Sequence, residues 1–389
     1  MNANNDRALR VGVEAISAGA SLNPAAGGMA IYYDGLLRAL ARSDAVETLI
    51  ALVPPRNEGF GIPQAPKIRW VICRGLPRNR VGRVVYEQLV LPLRTARQSP
   101  DVLLSTCNVK PLLWRGPSVV VLHHVQYLFY PDLYTRLRRA YLGTFIKESL
   151  RRADAVIAVS NWEREQILAL FDVEPSRVFT VYHGISNLIR RSPSLEGKLI
   201  RPPNSRPYVV FVSILYRHKN HARLIEAFAE VVREQGIPHD LVMAGGEANV
   251  TISELEEVAR RCGVADRVQF LGSVHHEKVP RLVAEADVVA YPSLMETFGH
   301  PILEALALGR CVLTSNCGAM AEVAGGAARL VDPTDVGDMA RGLADLISDD
   351  SLRERLSREG PQRAGEFSWE RCAEGTVRAL RHAVARRSA

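Results

Sequence analysis

The stretch Tyr291-Pro-Ser-Leu-Met-Glu-Thr-Phe-Gly-His-Pro-Ile-Leu-Glu-Ala-Leu-Ala-Leu-Gly309 decides how the chain is read. It starts where an apolar run, 287–291, ends. Gly299 permits a backbone conformation closed to other residues and lets backbone amides approach a ligand. Pro301 suits the first turn of a helix, where its missing N–H costs nothing. A helix is expected over 302–308, stopped by Gly309. The beginning of a helix offers unpaired N–H groups and partial positive charge, a ready phosphate site. Glu296 just before the turn, and Glu304 read as lying in the first helical turn, aim two carboxylates at one ligand. A carboxylate's two acceptor oxygens match the paired hydroxyls of a ribose or a hexose.

The same strand–turn–helix rhythm extends outward. Apolar runs at 10–16, 48–53, 68–73, 101–104, 118–123, 155–159 and 178–181 alternate with helical patterns at 30–42, 84–97, 134–152 and 162–171. Pro92 is expected to kink or break the second helix. Several runs are apolar throughout, as a parallel sheet covered on both faces requires. The segment 187–207, rich in Arg, Ser and Pro, reads as a linker. A second series then begins, with strands at 208–214, 240–243, 267–271, 287–291, 311–314 and 328–331. Its helices are expected at 221–233, 252–262, 278–284, 302–308 and 335–347, and a last amphipathic helix covers 368–385. The fold class is therefore α/β, with two Rossmann-like doubly wound domains facing across a cleft. Their expected bounds are 1–186 and 208–367, with 368–389 as a closing helix.

Composition agrees. The chain has 389 residues, 47% hydrophobic and 23% charged, which suits two globular domains of roughly 150–200 residues each. Residues 1–10 are polar and show no signal-peptide core. No apolar run approaches the ~20 residues of a membrane span. A cytoplasmic protein, soluble or peripheral on the inner face of the plasma membrane, is expected. The six cysteines show no C-x-x-C pair and no zinc spacing with histidine, so reduced thiols are expected. The net charge of +7 comes with no nucleic-acid motif, which argues against a nucleic-acid partner.

Glu296 and Glu304, with seven residues between them in P-S-x-x-E-x-F-G-x-P-x-x-E-A, resemble the E-x7-E signature of the retaining glycosyltransferases of family four, the glycosyl transferases group 1. The resemblance implies the GT-B fold. It makes Glu304 the ligand of the donor ribose and Glu296 a contact to the donor sugar, with Phe298, Gly299 and His300 supplying backbone amides. Phe211-Val-Ser-Ile-Leu-Tyr-Arg-His-Lys-Asn220 is similar to the family's V-G-x-x-x-x-R-K-N segment, and Lys219 falls on the lysine that neutralises the donor diphosphate. Two residues depart from that pattern. Ser213 stands where glycine is usual and His218 where arginine is usual, so a second cation is expected from Arg217 or from a protonated His218. Val121-Leu-His-His-Val125 resembles the strand-end segment whose histidine, here His123, meets the donor sugar. Asn23-Pro-Ala-Ala-Gly-Gly28 resembles the family's glycine-rich first loop, with Gly27 and Gly28 admitting phosphates or acceptor.

What the resemblance implies is retention of anomeric configuration; with no well-placed nucleophile pair in the sequence, front-face substitution is the expected route. The donor is a nucleotide-diphosphate sugar, GDP-mannose first and UDP-sugars next. The acceptor is a glycan or a lipid-linked molecule, in bacterial surface polysaccharide or lipopolysaccharide assembly. No Asp-x-Asp motif occurs, so no metal and no cofactor are expected. Lys219→Ala or Glu304→Ala is expected to lower turnover while leaving folding intact. The basic helix 134–152 suits either an anionic membrane or plain solvent. The cluster Arg74, Arg78, Arg80 and Arg83 suits either an acceptor or a solvated loop. Two rival readings share the fold: a sugar-nucleotide 2-epimerase, and a non-catalytic nucleotide-sugar-binding protein.

Overall fold

The computed structural model describes residues 7–14, 16, 28–55, 65–77, 79–186, 189 and 206–388. The chain divides into two compact units, Met1–Gly184 with Ser368–Ala389, and Ile185–Phe367. Most of the expected linker 187–207 lies outside the described residues.

The first unit runs β1 (Leu9–Glu14), α1 (Gly28–Arg42), β2 (Val46–Val53), β3 (Ile68–Ile72), α2 (Arg80–Val85), a π turn (Tyr86–Val90) and α3 (Leu91–Ala96). It continues through β4 (Val102–Ser105), β5 (Ser118–Leu122), α4 (Gln126–Phe129), α5 (Arg136–Arg152), β6 (Ala155–Ala158), α6 (Asn161–Leu170) and β7 (Val178–Thr180). Its seven strands are ordered β3-β2-β1-β4-β5-β6-β7, all parallel. The second unit runs β8 (Tyr208–Val212), α7 (His221–Gln235), β9 (Asp240–Ala244), α8 (Ile252–Arg261), β10 (Val268–Phe270), α9 (Val279–Ala284) and β11 (Val288–Tyr291). Then come α10 (His300–Ala307), β12 (Cys311–Ser315), α11 (Gly318–Ala324), β13 (Arg329–Val331), α12 (Val336–Ser348) and α13 (Asp350–Ala364). Its sheet is β10-β9-β8-β11-β12-β13, again parallel. Both orders are those of the doubly wound Rossmann sheet.

Burial explains the unbroken apolar runs. Every residue of β5, β6, β9, β11 and β12 is buried, because helices cover both faces. All thirteen expected strands are present, each within two residues of its expected bounds. All six cysteines are free.

The helices differ more. Pro92 neither ends the second helix nor kinks it alone. It cannot donate to the carbonyl four residues back, and the chain meets this with a π turn in which the Leu91 amide reaches Tyr86 O. Helix α13 has no counterpart in the sequence pattern. It is polar all round and carries Gly360-Pro361. Its signals are the Asp349 cap, which accepts from the Leu352 amide at 2.9 Å, and one thin buried line of Leu356, Gly360 and Ala364.

The last helix, α14 (Trp369–Ser388), completes the first unit. Trp369 is buried, and its indole lies on α1 where Gly35 has no side chain. A Cβ at Gly35 would come within 2.1 Å of the ring. Gly35→Ala is therefore expected to cost about 1–3 kcal/mol through overpacking. An unchanged urea midpoint for this variant would remove Trp369 from that close approach.

Candidate functional site

In doubly wound sheets ligands gather beyond the carboxyl ends of the strands, where the strand order reverses. In the second unit that place lies between β8 and β11. The loop after β8 carries Lys219, and the loop after β11 carries Glu296.

The two loops are stitched together. A 3-10 turn, Arg217–Lys219, ends at Asn220 in the left-handed conformation, φ 69°, which asparagine tolerates better than most residues. Its Nδ2 donates to Pro292 O at 3.1 Å and to Pro333 O at 2.7 Å. The Leu294 amide donates to His218 O at 2.8 Å. Asn220 thus holds the lysine loop against the glutamate loop. It stands next to Lys219 in the motif, but nothing in the sequence distinguishes a tether from a helix cap.

So held, Lys219 Nζ donates to Tyr291 Oη at 3.0 Å and to the Glu296 carboxylate. The two side chains are 14% and 15% exposed. Burial works against the Lys219 charge, but Glu296 and Tyr291 more than restore it, and its pKa is raised. Burial pushes the Glu296 carboxyl up, yet Lys219 outweighs that and holds it below the usual range. Both groups are charged, and each makes the other's charge tolerable.

Glu304 has no such partner. It is the fifth residue of α10 and so lies in the second turn, not the first, because the helix begins two residues earlier than expected, at His300. Desolvation pushes its pKa up to about 7. Among the described residues nothing donates a hydrogen bond to it. Gly299 caps α10 with φ 96°, as its place in the turn requires, and among the described residues no acceptor takes its amide.

The other expected residues divide by role. Ser213 follows β8 and its amide is fixed to Ala244 O at 2.9 Å. Arg217 is exposed, with only its backbone pinned, to Asn249 Oδ1 at 2.9 Å. His218 is buried, and desolvation together with Lys219 lowers its pKa to about 4. A protonated His218 is thereby corrected: the imidazole is neutral near pH 7. Phe298 is buried against Phe367 at 5.9 Å between ring centres. His300 lies edge-on to Phe298 at 5.1 Å, and desolvation lowers its pKa to about 4.

In the first unit His123 follows β5 and is 6% exposed. Its Nε2–H donates to Thr106 O at 2.8 Å, and its amide donates to Asn108 Oδ1 at 2.6 Å. Its ring meets Tyr32 edge-on at 4.6 Å. Gly28 is the first residue of α1 and exposed; Gly27 lies outside the described residues, as does Arg78.

Two Rossmann-like units of this topology define a GT-B glycosyltransferase architecture. Residues 198–363 match the family model for glycosyl transferases group 1, and residues 26–187 match that for glycosyltransferase family 4. An O-antigen chain mannosyltransferase B of Escherichia coli is 30% identical over 289 residues, 70% of this chain and 75% of that one. An MMP alpha-(1->4)-mannosyltransferase of Mycolicibacterium hassiacum is 30% identical over 62% of this chain and 57% of its own length. A sucrose-phosphate synthase of Thermosynechococcus elongatus superposes with a TM-score of 0.76 at 19% identity, covering 95% of this chain and 97% of that one. WaaG, a glycosyltransferase involved in lipopolysaccharide biosynthesis, superposes with a TM-score of 0.70 at 14% identity, covering 94% and 98%. The chain belongs to the family-four glycosyltransferases, glycosyl transferases group 1, and is a transferase enzyme.

The Lys219–Glu296 pair makes one variant costly. Lys219→Met leaves a buried carboxylate without its counter-ion, and a loss of about 3–5 kcal/mol of stability is expected. This replaces the expectation that removing Lys219 spares folding. Adding Glu296→Gln should recover most of the loss. A double variant no more stable than Lys219→Met, in urea titrations, would deny the pair its structural role.

Proposed function

We propose that this enzyme is a retaining hexosyltransferase that moves mannose from GDP-mannose to a glycan or lipid-linked acceptor in surface polysaccharide assembly. The observation that carries the reading is the Lys219–Glu296 pair at the switch point of the second sheet, followed within α10 by the partnerless carboxylate of Glu304. Mannose is supported by the printed names of the Escherichia coli and Mycolicibacterium relatives. UDP-sugars are the second candidates, since an Anabaena structure of this fold was solved with UDP.

In this reading the donor diphosphate takes over the Lys219 ammonium and the Gly299 amide. Glu296, released from Lys219, turns to hydroxyls of the sugar, and Glu304 accepts from the ribose. The sugar–phosphate bond breaks while the acceptor oxygen bonds the same carbon from the same face. The leaving phosphate oxygen takes the acceptor's proton. Fixed positive charge beside that phosphate stabilises the developing anion, and holding the reactants in register removes an entropic barrier. Lys219 and the helix amide would do the work of a metal, so activity is expected to survive EDTA. The test is a mass-spectrometric donor screen. Slow hydrolysis of one nucleotide sugar to the unaltered sugar in EDTA supports the reading. Release of a 2-epimer without acceptor, or dependence on a divalent ion, overturns it.

Glu304 adds a pH signature. Its carboxyl is protonated below about pH 7 and then loses acceptor capacity. Donor affinity is therefore expected to fall as pH drops from 8 to 6. Glu304→Gln should weaken binding by about 10–100-fold at pH 8 and abolish the slope. An unchanged slope in the variant would assign the titration elsewhere.

Peripheral membrane contact is part of the proposal, but on a different helix from the one the sequence suggests. Leu142, Ile146 and Leu150 of α5 are buried, and Leu137 is its one strongly exposed large apolar side chain, so its basic face carries no apolar stripe. Val81, Val85, Leu89 and Leu93, on α2, the π turn and α3, are 68%, 49%, 53% and 66% exposed. They recur every four residues, and exposed Arg74 and Arg97 lie nearby in the chain. A basic-rimmed apolar stripe suits anionic lipid. Two copies packed on this stripe would bring like charges together. Among the described residues no helix is long and apolar enough to cross a membrane. Val85→Ser with Leu89→Ser should reduce co-sedimentation with phosphatidylglycerol vesicles severalfold; equal sedimentation would discard this surface.

A further inference from the structure

The first unit contains a cavity of about 580 Å³ that the transfer chemistry does not use. Its place follows from the topology. Arg115 lies just before β5, Asp154 immediately before β6 and Arg177 immediately before β7, and these strands are adjacent and parallel. The cavity therefore sits at their amino ends, the end of the sheet opposite His123. Helices run antiparallel to such strands, so α5 and α14 bring their carboxyl ends here, with Arg151 and Arg152 from one and Arg386 and Arg387 from the other. Lys110 completes the basic lining, and Leu112 and Trp114 form an apolar wall.

Part of this charge is structural. Arg177 donates to the carbonyls of Leu150, Arg151 and Ala153, closing the end of α5. Lys110 Nζ donates to Ser118 Oγ at 2.6 Å and to Arg152 O at 3.5 Å. Glu148 takes Arg151 and Arg152, Glu174 takes Arg386, and Asp154 takes Arg387. Helix ends do not balance the remainder. Seven cations, three carboxylates, and two helix ends of about half a negative charge each leave a positive surplus.

Two of the cations are buried. Lys110 is 1% exposed, and desolvation lowers its pKa to about 8 although Asp154 partly opposes this. Arg177 is 8% exposed, and its Nε, among the described residues, is buried without an acceptor. Arg115 is exposed and has no carboxylate partner among the described residues. The cavity is larger than one phosphate needs and falls in the size range of small-molecule sites. A sugar ring has an apolar face suited to the Trp114 indole.

We propose that this cavity binds a phosphate ester, with its anion held by Lys110, Arg115 and Arg177 and its organic part against Trp114. The same chemistry comes from a soluble sugar phosphate or from a phospholipid headgroup, and the test separates them. Full-length protein is titrated calorimetrically with inorganic pyrophosphate, wild type against Arg115→Glu, an exposed change that leaves the Lys219 site intact. Two sites in wild type and one in the variant are expected if soluble phosphates enter. If pyrophosphate shows no such difference, co-sedimentation with phosphatidylglycerol vesicles should fall at least tenfold in Arg115→Glu, with Trp114→Ala behaving alike, which assigns the cavity to a headgroup. Identical stoichiometry together with identical vesicle binding in wild type and both variants overturns the proposal.

Discussion

A lysine and a glutamate largely withdrawn from solvent side by side set the terms for the second unit. Neither Lys219 nor Glu296 could stay charged there alone, and the pair survives only if two loops from different strands are held in register. That need accounts for the left-handed Asn220, its two bonds to proline carbonyls and the amide of Leu294 on His218. It also accounts for where the pair sits. The reversal of strand order between β8 and β11 lets the two loops emerge side by side. The pair stores two charges in an orientation that needs little rearrangement when a diphosphate arrives, which is the economy of a preorganised site.

The two carboxylates of the signature are sorted by their surroundings. Glu296 has a counter-ion and is held ionised, whereas Glu304 has none and titrates near neutrality. Residues of one kind, eight positions apart, thereby acquire different chemistry. The same sorting separates Arg217 from His218. The Arg217 guanidinium is exposed, while the buried His218 imidazole loses its charge.

Much of this is legible in the amino-acid sequence. The strands are, because a strand buried on both faces must be apolar throughout, and that pattern leaves no ambiguity of face. Gly299 and Gly309 mark both ends of α10. Two kinds of feature are not legible. Helix α13 buries only the thin line of Leu356, Gly360 and Ala364 between polar flanks, and Gly360-Pro361 reads as a break. The Lys219–Glu296 bond joins residues 77 apart, and nothing local says that two residues each suited to a ligand are first suited to each other. His218 looks chargeable for the same reason, since burial has no one-residue signature. The exposed stripe on α2 and α3 is hidden by its own periodicity, which is equally that of a buried face.

The first unit is built from two separated segments, Met1–Gly184 and Ser368–Ala389, whereas the second is one continuous segment. During synthesis the second unit is complete while the first still lacks α14, and Trp369 leaves the ribosome after everything it packs against. Until then the groove over Gly35 stays open and the first sheet is uncovered along one helix. The first unit is thus the second to be completed, and α14 can close over Gly35 only once the whole second unit has been made.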